Sequence, residues 1–226
     1  MRLVIDRTVA EKFPGLHLAG KVIRGLEVSY EKIDTLLRLK EEIYGGVREK
    51  YTLESLKDQS LFRAYRDFFW KLGIDPTKIR PASEALVRRI LQGKEIPSIN
   101  PIVDTYNLAS IRSGIPMAAF DLDKMQGTPV MKFATKGEEF FGIGMTVPLV
   151  LKGHEVVISD EKGLIAIYPY RDSDRTKITE NTENILLLVC GVPGVERNIL
   201  EKAERIATEY IEGICGGRRE ELIIAE

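Results

Sequence analysis

Apolar and polar positions follow two rhythms along this chain, and the rhythm changes near the middle. From Glu31 to Gly45 the apolar residues Ile33, Leu36, Leu37 and Ile43 return at helical spacing. "TLESLKDQSLFRAYRDFFWKLG" predicts one broken helix or two in succession, with Leu61, Tyr65, Phe68, Phe69 and Leu72 on one stripe and Gly73 as the stop. An aromatic stripe of this kind is core far more often than a ligand box. "IDPTKIRPASEALVRRILQGKEIP" predicts another helix, apolar along Leu86, Val87, Ile90 and Leu91 and closed by Gly93. Its Arg88 and Arg89 lie towards the end where positive charge suits the helix dipole.

The most fully punctuated helix lies in "SINPIVDTYNLASIRSGIP", which starts at Ser98. Asn100 is an N-cap, Pro101 takes the first helical position, Gly114 supplies the stop and Pro116 follows it. A helix is expected over about 101–113, with Ile102, Val103, Tyr106 and Ala109 on its apolar face. Asp104 and Asn107, three apart, share another face.

Beyond it the period shortens. "PMAAFDLDKM", "PVMKFAT", "EEFFGIG", "HEVVISD", "LIAIYPY" and "ILLLVCGV" read as strands, punctuated by Gly, Asp and Asn. "RLVID" and "HLAGKVIRGLEV" predict two strands near the start. "GVERNILEKAERIATEYIEGICGG" predicts a final amphipathic helix, and "RREELIIAE" a strand or a tail. Helices crowd the first half and strands the second, which predicts an α+β fold rather than an alternating βαβ wind.

Composition narrows the chemistry. The net charge of −1 advertises no general affinity for nucleic acid, although a local basic patch is compatible with it. His17, His154, Cys190 and Cys215 form no zinc spacing. No P-loop, dinucleotide fingerprint or nucleophile elbow is present. Cys190, in an apolar run, reads as buried filler, and a disulfide is the lesser expectation. With no signal-peptide core at "MRLVIDRTVAEKF" and no apolar run of spanning length, the expected location is cytoplasmic, without membrane association.

Two polar clusters remain. In "YRDSDRTKITENTEN", residues 170–184, Arg171, Arg175 and Lys177 could meet a phosphate or carboxylate. Asp172, Asp174, Thr176, Thr179 and Thr182 could orient a small ligand or water. A solvated loop whose charges pair with each other is an equal reading. In "FDLDKMQG", Asp121 and Asp123 would share one face of a strand, as a metal or acid–base pair would need. The commoner outcome is that one caps a turn and the other pairs with a lysine such as Lys124.

Several of these pieces recur together in one known family. "SINPIVDTYNLASIRSGIPMAAFDLDKMQG", then "KGEEF", "VVISD" and "TENILLLVC", resemble the B3/B4 editing module of the phenylalanyl-tRNA synthetase β subunit, over about Arg80 to Cys190. "RPASEAL" and "YRDSDRT" are more similar to the freestanding branch of that family. The resemblance implies one α+β domain of layered mixed sheets and packed helices over 1–226, helix-rich over 1–78 and editing-like over 79–226. It implies no cofactor and no metal. It also implies a trans-editing hydrolase that deacylates mischarged aminoacyl-tRNA, with tRNA as partner and a synthetase complex as a means of delivery. An aminoacyl ester is already activated, so positioning a water and holding the carbonyl near N–H groups supplies much of the rate, with help from the neighbouring ribose hydroxyl. A non-catalytic RNA- or tRNA-binding module, and an amino-acid-binding protein that reuses the pocket, are the alternatives.

The resemblance also assigns positions. Asn100, Asp104, Asn107 and Asp121 match scaffold positions, and Asp104 and Asn107 are expected to hold the "FDLD" turn. The pocket is expected to be lined by Ala118, Arg171, Asp172, Arg175, Thr176, Asn181 and Thr182. Three features depart from the synthetase pattern. Ala118 stands where the module has a histidine, "YPYRDSDRT" replaces a Gly-rich turn, and Asn181 follows Glu180 where the module has a tyrosine-reading glutamate. Tyrosine specificity is therefore not carried over. Arg171, Asp172 and Arg175 are instead expected to select a polar or charged amino acid, and Arg80, Arg88, Arg89 and Lys94 to contact tRNA.

Overall fold

The computed structural model describes residues 1–225. In chain order it runs β1 (Arg2–Ile5), α1 (Arg7–Lys12), β2 (Leu18–Leu26), α2 (Ile33–Lys50), α3 (Ser60–Lys71), α4 (Ala82–Leu91) and α5 (Pro101–Ser113). The strand-rich part follows with β3 (Met117–Asp121), β4 (Val130–Phe133), β5 (Glu139–Phe140), β6 (Leu149–Val150), β7 (Val156–Asp160), β8 (Gly163–Ile167), β9 (Arg171–Asp172) and β10 (Ile185–Cys190). The chain closes with α6 (Arg197–Cys215), β11 (Gly216–Glu221) and β12 (Ile223–Ala225).

The strands build two main sheets. One has the order β12-β1-β4-β7-β8-β9, parallel across β12-β1-β4 and antiparallel beyond; the other, β11-β2-β10-β3, is antiparallel throughout. β5 and β6 pair as a separate hairpin. The fold is therefore α+β with mixed sheets, as the segregation of rhythms predicts. The first 78 residues are not set apart from the rest, because β1 joins one main sheet and β2 the other.

The unbroken apolar run of β10 has a simple cause. It lies between β2 and β3, and every one of its residues is buried, so both faces are covered. One face carries Leu187 opposite Lys21, and Lys21 Nζ lies 3.9 Å from Glu204 of α6, so this face looks towards that helix. The other face carries Leu188 opposite Ala118, turned towards the six-stranded sheet.

α5 forms where its punctuation predicts. The Asn100 side chain accepts from Val103 N at 3.0 Å, and Gly114 ends the helix with φ 75°. Its buried face is wider than expected and includes Thr105, Leu108, Ser110 and Ile111 besides Ile102 and Ala109, while Val103 and Tyr106 are only half-buried. The reason is crowding, since α2, α4 and α6 all pack on this one helix. Its buried hydroxyls stay satisfied on the backbone: Thr105 donates to Pro101 O at 2.5 Å and Ser110 to Ile115 O at 2.7 Å.

Candidate functional site

A cavity of about 70 Å³ opens between the two main sheets. Met117, Ala118 and Phe120 of β3 and Leu188 and Cys190 of β10 form one wall. Ile158, Ala166 and Ile167 form the opposite one, and Ala82 at the start of α4 touches its edge. The turn Tyr168-Pro169-Tyr170, with a cis bond before Pro169, leads into Arg171 and Asp172 at its polar side. The two-residue β9 pairs Asp172 with Ala166 and Arg171 with Ile167, which brings both charges to an otherwise apolar space.

Electrostatics single out Asp172. Burial pushes its carboxyl up to about 7, and the neighbouring Arg171 guanidinium only partly opposes this. The carboxyl therefore changes charge near neutrality, as an acid–base group does. Three neighbouring ionisable side chains are held neutral. Burial raises the Cys190 thiol far above its usual range, with the Asp172 charge adding to the effect, so it is no thiolate nucleophile. Burial likewise raises the hydroxyls of Tyr65 and Tyr168, which donate to Cys190 O (2.7 Å) and Gly191 O and fix the end of β10.

Of the residues expected in the pocket, Ala118, Arg171 and Asp172 line the cavity. Arg175, Thr176, Asn181 and Thr182 do not. Arg175 is consumed elsewhere: Nη2 lies 2.7 Å from the fully buried carboxylate of Asp160, and Nη1 donates to Lys124 O at 2.9 Å. It clamps β7 to the turn after β3. Thr182 donates to Asp121 at 2.8 Å and accepts from Thr179 N at 2.9 Å, so it belongs to the same turn. Thr176 Oγ1 is buried with no hydrogen-bond partner among the described residues, and Asn181 is exposed.

The scaffold positions also sort differently from expectation. Asp104 accepts from Ile99 N at 2.8 Å and from the Ser98 hydroxyl, so it ties down the loop before α5 and not the "FDLD" turn. That turn is held locally. β3 ends at Asp121, whose carboxylate accepts from Asp123 N at 3.1 Å and lies 3.1 Å from Lys124 Nζ. Asp123 has already left the strand and accepts from Asn184 at 2.9 Å, so the two aspartates do not converge on one face. Asn107 and Asp104 line a separate apolar groove against Leu36, Leu37 and Tyr44 of α2.

Two of the four cations expected to meet tRNA are engaged within the fold. Arg88 flanks the buried Glu84 at 3.9 Å together with Arg66 at 2.8 Å, and Arg89 donates to Glu95 O at 2.7 Å. Arg80 and Lys94 are exposed. They stand at opposite ends of the ten-residue α4, roughly 15 Å in length, and only the Arg80 end abuts the cavity. Both cysteines are free and buried. Among the described residues no group of three or more His, Cys, Asp or Glu could hold a metal ion, and no helix is long and apolar enough to cross a membrane.

The sequence missed Ala82, Tyr168, Tyr170 and Cys190 as cavity walls. Each lies inside a stretch whose local pattern is plain; the strand pairings β8 with β9 and β10 with β3 bring the last three together, and the packing of α4 adds Ala82.

Comparison with known proteins shows what the sequence and the fold resemble. The phenylalanine–tRNA ligase β subunit of Fusobacterium nucleatum subsp. nucleatum is 35% identical over 116 residues, 51% of this chain and 14% of the subunit. That of Yersinia pestis is 32% identical over 109 residues, 48% of this chain and 14% of the subunit. That of Neisseria gonorrhoeae is 24% identical over 176 residues, 68% of this chain. The chain spans less than a quarter of these relatives' length, 14% to 22%. A crystal structure of an N-terminal fragment of the phenylalanyl-tRNA synthetase β subunit from Pyrococcus horikoshii matches 99% of this chain and 52% of that fragment, with a TM-score of 0.54 at 14% identity, a likeness of fold. The B3/4 domain model matches residues 64–216, extending beyond the Arg80–Cys190 stretch at both ends and over well more than half of the sequence, and the chain belongs to the B3/4 domain family.

Proposed function

We propose that this B3/4 protein hydrolyses the ester of mischarged aminoacyl-tRNA, with Asp172 as the general base. The observation that carries the reading is a carboxyl poised near neutrality at the mouth of an apolar cavity between two sheets. The relatives' names concern a ligase that joins phenylalanine to tRNA, and the resemblance of the motifs to its editing module supplies the substrate class.

In this reading the amino-acid side chain enters the cavity against Ala118, Phe120 and Leu188, and the ester stays at the polar mouth. Ionised Asp172 accepts a proton from a water as that water attacks the ester carbonyl carbon. The carbon–oxygen bond to the ribose then breaks, and the ribose oxygen takes up a proton, assisted by its neighbouring hydroxyl. General-base help of this kind is worth about 10²–10⁴-fold on an ester that is already activated. With Arg175 engaged by Asp160 and the walls apolar, the cavity favours a small apolar side chain over a charged one.

A deacylation screen over a panel of mischarged tRNAs tests the proposal. At least one member carrying a small apolar residue is expected to lose its amino acid faster than in buffer. If all are stable, and tRNA is nevertheless retained in a salt-dependent way, the chain is a binding module instead.

A further inference from the structure

Two grooves meet at the C-terminal ends of α2 and α5, and they carry opposite charge. The first, of about 490 Å³, runs along one face of α2, where Glu41, Glu42, Gly45, Gly46, Glu49 and Lys50 recur at helical spacing. The second, of about 760 Å³, runs along one face of α6 through Asn198, Ile199, Lys202, Arg205, Ile206 and Glu209. Lys50 and Arg112 line both, so the grooves adjoin. Arg112 and Glu42 hold each other at 2.5 Å. Glu41, Glu49, Lys50, Lys202 and Arg205 are exposed and stand in no ion pair among the described residues.

The glycine pair in α2 has no cause inside the chain. Glycine in a helix interior is less favourable than alanine, and neither Gly45 nor Gly46 has the positive φ that would call for it. A methyl group added at either would meet nothing within 4 Å. Bare helix backbone does let a second molecule come close. On α6, Ile199, 41% exposed, and the half-buried Ile206 share the face of the two cations and offer apolar contact beside them.

We propose that these faces pair two copies of this chain about a twofold axis near Lys50 and Arg112, with the α2 face of each protomer on the α6 face of the other. The charge pattern selects this occupant. A twofold axis sets a patch against its own copy, so a patch that binds itself carries both halves of every contact. Here the acidic and the basic face lie side by side. Rotation about their junction sets Glu41 and Glu49 of one protomer against Lys202 and Arg205 of the other, twice over. An acidic peptide or a nucleic acid would use the basic face alone and leave Glu41, Glu49 and the glycine pair without a role. Neither groove shares a residue with the cavity between the sheets, so the pairing stands or falls independently of the hydrolysis proposed above.

Sedimentation velocity of the intact protein, over a range of concentrations at low and at high salt, reads the pairing, with melting curves to confirm that each variant folds. Wild type is expected to form a dimer that salt weakens. Glu41→Lys with Glu49→Lys makes both faces basic, and Lys202→Glu with Arg205→Glu makes both acidic. Each pair of substitutions is expected to raise the dimer dissociation constant by at least about tenfold, because like charges then face each other. Mixed in equal amounts, the two variants are complementary again and are expected to form a heterodimer. Gly46→Leu, which adds bulk without charge, is expected to weaken the dimer too. Wild type that stays monomeric at every concentration overturns the proposal. So does a dimer that the charge reversals and Gly46→Leu leave intact, and so do reversed variants that stay apart when mixed. Monomeric wild type that retains an acidic peptide or an RNA duplex through Lys202 and Arg205 also overturns it, because the basic face then belongs to that partner.

Discussion

Arg171 and Arg175 stand four residues apart and do different work. Arg175 neutralises Asp160, whose side chain is fully buried, and spans to two backbone carbonyls. Removing it strands a carboxylate in the interior, so Arg175→Ala is expected to cost about 3–5 kcal/mol in a denaturant melt, with Arg175→Lys recovering part of the loss. No change of substrate preference should accompany that loss. Asp172 differs in kind, because its folded-state carboxyl titrates at about 7, above the roughly 3.9 of an unfolded chain. Raised in this direction, the group makes the folded state hold its proton between those two values. Stability should therefore fall as pH rises from about 4 to about 7 and stay level above. Asp172→Asn should remove that slope and melt higher than wild type at pH 8. Ala118 makes a third case. A histidine there would fill the cavity facing Leu188, so Ala118→His is expected to block whatever enters, at an overpacking cost of about 1–3 kcal/mol.

At the scale of elements, what the sequence revealed and what it hid follow one physical line. α5 was readable to the residue because its signals are local: an Asn cap, a Pro in the first turn, a Gly stop with positive φ. Asn100→Ala should cost about 1 kcal/mol, since it frees the N–H of Val103, and circular dichroism against denaturant will measure it. The strands from Met117 onward were likewise visible as apolar runs between turn residues. β9 was not, because two residues carry no period and only pairing with β8 makes them a strand. For the same reason Arg171 and Arg175 looked alike in one polar stretch. The partner that separates them, Asp160, comes from another strand. Asp104 was a milder case: its spacing to Asn107 was sound, but its bonds run back to Ser98 and Ile99 rather than forward to the turn after β3.

The whole molecule is tied together by its ends. β1 and β12 pair in one main sheet and β2 and β11 in the other, so the last strands close both sheets against the first residues. The cavity lies between those sheets, and both supply its walls. Binding of an amino-acid side chain there should therefore stabilise the whole fold and raise the melting temperature with ligand concentration. The near-neutral net charge sets a further constraint on the proposed function, which would have to draw any affinity for tRNA from local features and not from a general basic surface. In the proposed function Asp172 serves as the base in hydrolysis of an aminoacyl ester. The most direct measurement is the rate of deacylation of the responsive mischarged tRNA from pH 5 to pH 9, by wild type and by Asp172→Asn. The wild-type rate is expected to rise through about pH 7 and then level, and the variant to be slower by about 10²-fold or more without that rise. Equal rates for the two proteins, or the same profile in both, would contradict it.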